Sequence, residues 1–141
     1  MAVQDRKARR RFLKHAGVVA LGMQAGTLQT VLGQGAMGVL RVCYKSGVKF
    51  DEMYYISKHM PLVNRVLKPL GLKRVEVMRI GKNADGSSPI YQTIFSGYFD
   101  SVAAMQAALG NPATAGVTGD VKNFYDGMPD ILTGEIVPGV S

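Results

Sequence analysis

The spacing of apolar positions divides residues 38–137 into short elements. Val39 to Tyr44 is rich in Val, Leu, Cys and Tyr, the composition of a strand. Lys45 to Val48 lead onward, with Gly47 supplying the turn. Asp51 offers a helix N-cap, because its carboxylate can accept from the free N–H groups of a first turn, and Glu52 to Lys58 follow as a short amphipathic helix. Pro61 then interrupts. A residue before proline is pushed out of the α region, whereas proline is well tolerated at the first position of a helix. The sequence therefore predicts one helix ending near His59 or Met60 and a second from Pro61 to Lys68, closed by Pro69 and Gly71. Val75 to Ile80 reads as a second strand. A dense turn signal, Asn83 to Pro89, separates it from Tyr91 to Phe99, where Tyr91, Thr93, Phe95, Gly97 and Phe99 alternate with Gln92, Ile94, Ser96 and Tyr98. Asp100 or Ser101 caps a helix through Leu109, with Val102, Met105, Ala108 and Leu109 at helical spacing. Ala113 to Asn123 is a weaker helix containing Gly116 and Gly119, and Ile131 to Val137 is a fourth strand.

The order β-α-β-β-α-β is the split βαβ, or ferredoxin-like, arrangement of an α+β domain. Its helices cover one face of the sheet. The other face would show Tyr91, Phe95 and Val77, or their alternates, to water. A contiguous apolar face of that size is unusual on a monomer. Two such sheets facing each other would bury it, so the pattern predicts a homodimer.

Charge changes the picture at the N-terminus. The formal net charge is +7, but the first 36 residues hold six of the 17 basic side chains (Arg6, Lys7, Arg9, Arg10, Arg11 and Lys14) against Asp5 alone. The remainder is nearly balanced and has no basic patch interleaved with aromatics, which argues against nucleic-acid binding. Arg9-Arg10-Arg11-Phe12-Leu13-Lys14 resembles the twin-arginine export signal, with Ala8 where Ser or Thr is usual. The apolar stretch from Ala16 to about Leu32 is broken by Gly17, Gly22, Gln24, Gly26 and Gln29. It is too interrupted for a stable membrane span and suits a removable signal. Residues 1–36 are thus expected to engage the twin-arginine machinery, and residues 37–141 to form the folded domain, periplasmic or secreted. Ala36 is a candidate end of the signal, although Gln34 three residues from the cut is not the small residue preferred there. A retained N-terminal anchor is the other reading. Cys43 is the single cysteine, so there is no internal disulfide framework.

Chemistry converges on His59, the one histidine outside the first 36 residues. At a helix end it could give an N–H to a last-turn carbonyl, where a cationic imidazole is favoured. Alternatively it faces the cavity between helix and sheet as a general acid or base, a role suited to a pKa near neutrality. Tyr54 and Tyr55 point to different sides of the helix. One belongs to the core, while the other could offer its hydroxyl to a ligand or to His59, four residues after Tyr55. Asp51 reads as a cap before an acid. Arg41 and Cys43 share one face of the first strand, where Arg41 could hold an anionic or carbonyl oxygen or make a surface ion pair. One histidine and one cysteine cannot build a typical zinc site without several carboxylates. No glycine pattern for phosphate binding follows a strand.

The block Phe50, Asp51, Tyr54, Tyr55, His59, Met60, Pro61 and Leu62 (F-D-x-x-Y-Y-x-x-x-H-M-P-L) resembles the signature of the EthD family. IYQTIFSGYFDSVAAMQAAL and NFYDGMPDILTGEIV resemble that family's third strand with its following helix and its last loop and strand. The resemblance covers about residues 38–137. It implies a dimeric α+β barrel with an apolar pocket per subunit. It also implies roles beside the oxidative breakdown of small ethers, or in cyclising or oxidising aromatic, polyketide-like compounds. Two functions stay open: a cofactor-independent oxidoreductase, cyclase or isomerase using His59 on a small apolar or phenolic substrate, with Tyr54, Tyr55, Arg41 and Asp51 as candidate ligand contacts, or a non-catalytic module accompanying an exported oxidoreductase. Because relatives of the barrel fold bind haem, and a single axial histidine suffices, His59 as a haem ligand is a third.

Overall fold

The computed structural model describes residues 36–140. The export signal expected over residues 1–36 therefore lies almost wholly outside the described residues. Four strands form one sheet in the order β2-β3-β1-β4, every neighbouring pair antiparallel: β1 (Gly38–Lys45), β2 (Leu72–Arg79), β3 (Tyr91–Phe99) and β4 (Asp130–Glu135). This is the ferredoxin-like α+β arrangement. Among the described residues, no helix is long and apolar enough to cross a membrane.

Register decides which side chains meet. Val42 sits opposite Phe95, Leu40 opposite Gly97, and Val77 opposite Phe95 on the other side, so these face the helices together. Leu40, Phe95 and Phe99 pack there with Val63, Leu67, Leu72, Met105 and Ala108 in the main core. Gly97 is required in that layer, because a Cβ on it would lie 3.0 Å from both Leu72 and the Phe95 ring. The open face carries the alternates: Met78, Ile94 and Leu132, but also Arg41, Arg74, Glu76 and the Tyr98 ring, over which Arg74 lies at 4.0 Å. It is a mixed surface, more polar than the alternation of β3 alone suggests.

The helix after β1 departs from the expectation. Helix α1 runs without a break over residues 52–67, as an α turn (Glu52–Tyr54), a π turn (Tyr55–His59) and an α segment (Met60–Leu67). His59 and Met60 both keep right-handed helical backbone angles, so Pro61 does not end the helix and His59 is not at a helix C-terminus. The physical reason is the widened turn. A helix-interior proline clashes with the carbonyl four residues before it and lacks an N–H to give it. Here the Met60 N–H reaches back five residues to the Tyr55 carbonyl, which opens the spiral at that point. Asp51 caps the helix start by accepting from the Tyr54 N–H at 3.0 Å.

Helix α2 (Val102–Gly110) begins at Ser101, whose hydroxyl accepts from the Ala104 N–H. The weak helix expected over Ala113 to Asn123 is three pieces: a 3-10 turn (Pro112–Thr114), helix α3 (Ala115–Asp120) and a second 3-10 turn (Val121–Asn123). Beyond Asn123 the chain is tied to the start of α1. Phe50 and Tyr125 form an isolated β-bridge, and the Asp51 N–H donates to the Phe124 carbonyl at 2.7 Å. These bonds set the end of α3 beside the π turn.

Candidate functional site

An apolar cavity of about 370 Å³ lies between the helices and the sheet. Leu40, Val42 and Phe95 form its floor, and Val63, Leu109 and Val117 are among its walls. His59 lines it too, and is 3% exposed. The π turn stacks the imidazole on Tyr55 (ring centroids 5.5 Å apart, planes 23° apart), and the Phe124 ring packs against both, 4.4 Å from the imidazole and 5.1 Å from Tyr55.

The partner of His59 is Asp120, at the end of α3, with Nδ1 2.9 Å from Oδ2. Asp120 is held in turn by Tyr54, whose hydroxyl donates to Oδ1 at 2.7 Å, and by the Asn123 amide at 2.9 Å. Burial pushes the Asp120 carboxyl up, but the hydrogen bonds from Asn123, His59 and Tyr54 outweigh it and bring the group below the usual carboxylate range. A carboxylate can only accept, so Nδ1 carries the proton and donates it. Nε2 then holds the lone pair and has no hydrogen-bond partner among the described residues. Burial pushes the imidazole below its usual value, partly offset by the hydrogen bond to Asp120, so the ring is neutral at pH 7. This is the orientation of a general base: proton on the anchored nitrogen, lone pair on the other, and a carboxylate ready to offset the charge that forms.

The other expected site residues are scattered. Tyr55 lines the cavity and is 1% exposed. Its hydroxyl and that of Tyr44 weigh on each other's ionisation, yet without a hydrogen bond of ordinary geometry, and the Tyr55 oxygen is buried with no partner. Burial pushes both phenols well up. Tyr54 touches the site through Asp120. Asp51 is spent on the helix cap at the surface. Arg41 is exposed on the open face of the sheet, with Cys43 buried on that same face, and neither lines the cavity. The last-turn cap open to His59 does not form, because its Nδ1 goes to Asp120.

Sequence reasoning missed Asp120, Asn123 and Phe124. Asp120 is 61 residues from His59 and sits in a helix with no strong pattern. The available signal was chemical: a buried histidine base needs an acceptor, and few carboxylates of the domain lie in helical stretches. No group of three or more His, Cys, Asp or Glu side chains suited to a metal occurs among the described residues. For haem, the dyad itself would suit an axial ligand, since ligating imidazoles commonly give their other N–H to a carboxylate. The cavity, about 370 Å³, lies near the lower end of small-molecule sites and is small for a porphyrin.

A profile of the family described as the EthD domain matches residues 49–128, more than half of the chain. An EthD-like protein from Ralstonia eutropha JMP134 shares 28% identity over 75% of this chain and 96% of its own, with a TM-score of 0.64. Two more distant structures share the fold. A hydroxynitrile lyase from Passiflora edulis is 12% identical (75% of this chain, 97% of its own, TM-score 0.54). A protein from Jannaschia sp. CCS1, described as dimeric, ferredoxin-like and of unknown function, is 20% identical (73% and 99%, TM-score 0.52). No curated protein matches the chain.

Proposed function

The chain belongs to the EthD family, and from that footing we propose that its folded domain binds a small, largely apolar molecule in the cavity and moves a proton on it with His59. The observation that carries this is the 2.9 Å contact of Nδ1 with Asp120 at the wall of an apolar cavity. A substrate proton, on a phenol or on a carbon beside a carbonyl, passes to Nε2. The imidazolium that forms is offset by Asp120, and the apolar walls strengthen that attraction by excluding water. Returning the proton to another atom of the substrate completes an isomerisation; attack by the anion on a second carbonyl, whose alkoxide takes the proton back from the imidazolium, completes a cyclisation. Neither needs a redox partner. An oxidation of the same anion would need dioxygen or another acceptor.

The test uses a simple ketone in place of the unidentified substrate. Exchange of the α-protons of 2-tetralone in deuterium oxide is followed by mass spectrometry, with binding measured separately. The full-length protein is expected to accelerate exchange, and His59→Gln to lose about 10²–10⁴-fold of that acceleration while still binding the ketone. Bound tetralone exchanging equally in both proteins would sink the reading. Bound ketone without any exchange would favour a non-catalytic binding module. We further propose a homodimer through the open sheet face, supported by the exposed Met78 and Leu132 there and by the dimeric description of one fold neighbour, and export through the twin-arginine-type segment at residues 1–36.

A further inference from the structure

We infer that the ligand of this cavity is an amphipathic anion, with a flat apolar body inside and one negatively charged oxygen, a carboxylate or phenolate, at the rim beside Lys122. This rests on the reading that the cavity takes a small molecule, and it names the class of that molecule. Lys122 lines the cavity from the 3-10 turn that follows α3, and no Asp or Glu side chain lines it. The nearby carboxylate, Asp120, stays ionised, but its oxygens are turned to His59, Tyr54 and Asn123 and not to Lys122. Lys45 and Lys73 pair with Asp130 and Asp100, whereas Lys122 makes no ion pair among the described residues. Lys122 is exposed, so its stem touches the cavity and its ammonium, free of any direct ion pair among the described residues, is within reach of the mouth beside walls that are mainly apolar. A charge next to a low-dielectric wall acts more strongly on an opposite charge than one surrounded by water. A neutral apolar ligand gains nothing from Lys122. A cationic ligand is repelled by it. An anionic oxygen tethered to an apolar body gains at both ends.

The position of Lys122 also orients such a ligand. The lysine stands two residues after Asp120, on the segment that anchors His59, so an anion held at the rim leaves the apolar body pointing inward along the wall that carries the base. The experiment uses a matched pair of fluorescent probes, 2-naphthoate and the neutral 2-naphthamide, titrated into the full-length protein at pH 8. At that pH His59 is neutral and cannot supply the positive charge. Naphthoate is expected to bind more tightly than naphthamide by about two- to fivefold, the range of an exposed ion pair. The preference should shrink as salt is raised. Lys122→Gln should abolish it while leaving naphthamide affinity unchanged, which shows that the cavity is intact. Equal affinity for the two probes, or a naphthoate preference that survives in Lys122→Gln, overturns the inference and leaves the cavity reading standing. Failure of both probes to bind overturns the cavity reading and this inference with it.

Discussion

At the scale of single residues, the site depends on one hydrogen bond. The lowered pKa of His59 means that the unfolded chain, with an imidazole near 6.5, takes up a proton before the folded one does. Stability therefore falls as pH drops below 6.5, and continues to fall until the folded-state pKa is passed. Asp120 adds a loss of the same sign at lower pH, because its carboxyl is also below its usual range. Melting temperatures of the wild type at pH 7.5 and 5 should differ more than those of His59→Gln. Proton exchange should hold level through neutral pH and decline only below 6.5. Asp120→Asn removes both the anchor and the charge that supports the imidazolium, so its plateau should be lower and its decline should move to lower pH. A profile identical to wild type would remove Asp120 from the mechanism. Tyr55 makes a separate prediction. Its hydroxyl is buried without a partner, and an unsatisfied buried polar group costs about 1–3 kcal/mol. Tyr55→Phe should therefore leave the melting temperature unchanged or raise it. A marked drop would reveal a partner for that oxygen, a bound ligand or water included. His59 is legible in the sequence as the domain's lone imidazole. Asp120 is not, because nothing local marks a residue whose role is set by a contact across 61 positions.

Among the elements, strands are easier to read than helices. The alternation in Tyr91 to Phe99 predicts both a strand and its two faces, because side-chain direction in a strand follows from position alone. The break expected at Pro61 does not occur in α1, because the rule for residues before proline describes an isolated α-helix and takes no account of a π turn that relieves the clash. The path through Pro112–Thr114, α3 and Val121–Asn123 reads in sequence as one weak helix, since Gly116 and Gly119 lower helix propensity without showing where the chain tightens. The π turn carries a prediction of its own. Deleting the exposed Ser57 together with Pro61→Ala removes both the extra residue and the proline that needs the widened turn, and allows an ordinary α-helix across the same span. The segment from His59 onward can keep its packing through Val63 and Leu67, but Tyr55 turns away from the imidazole. Far-UV circular dichroism should remain native-like while proton exchange is lost. Native-like exchange in the deletion variant would show that the π turn is a packing feature with no part in setting His59.

For the whole molecule, two expectations reach past the single folded chain. The twin-arginine reading rests on Arg9 and Arg10 followed by Phe12 and Leu13. Replacing both arginines with lysine should hold the protein in the cytoplasm on fractionation, and unchanged export would end that reading. The dimer is argued from surface chemistry. Met78 and Leu132 are each 53% exposed on the open face of the sheet, and Ile136, Val137 and Val140 beyond β4 are exposed as well. Their neighbours Arg41, Arg74 and Glu76 are charged, so the face is no uninterrupted apolar sheet; a partner must satisfy charges as well as cover methyl groups. Burying a charged group without a partner is costly, which restricts the docking to arrangements that bring Arg41 or Arg74 to an acceptor on the other copy. A dimer of this kind should have a salt-dependent affinity and should be sensitive to charge placed among its apolar contacts. Sedimentation of the full-length protein at micromolar concentration is expected to show a dimer, and the Met78→Asp, Leu132→Asp double variant a folded monomer. A wild-type monomer under the same conditions would refute the dimer and would leave the exposed apolar side chains of this face to be covered by something else.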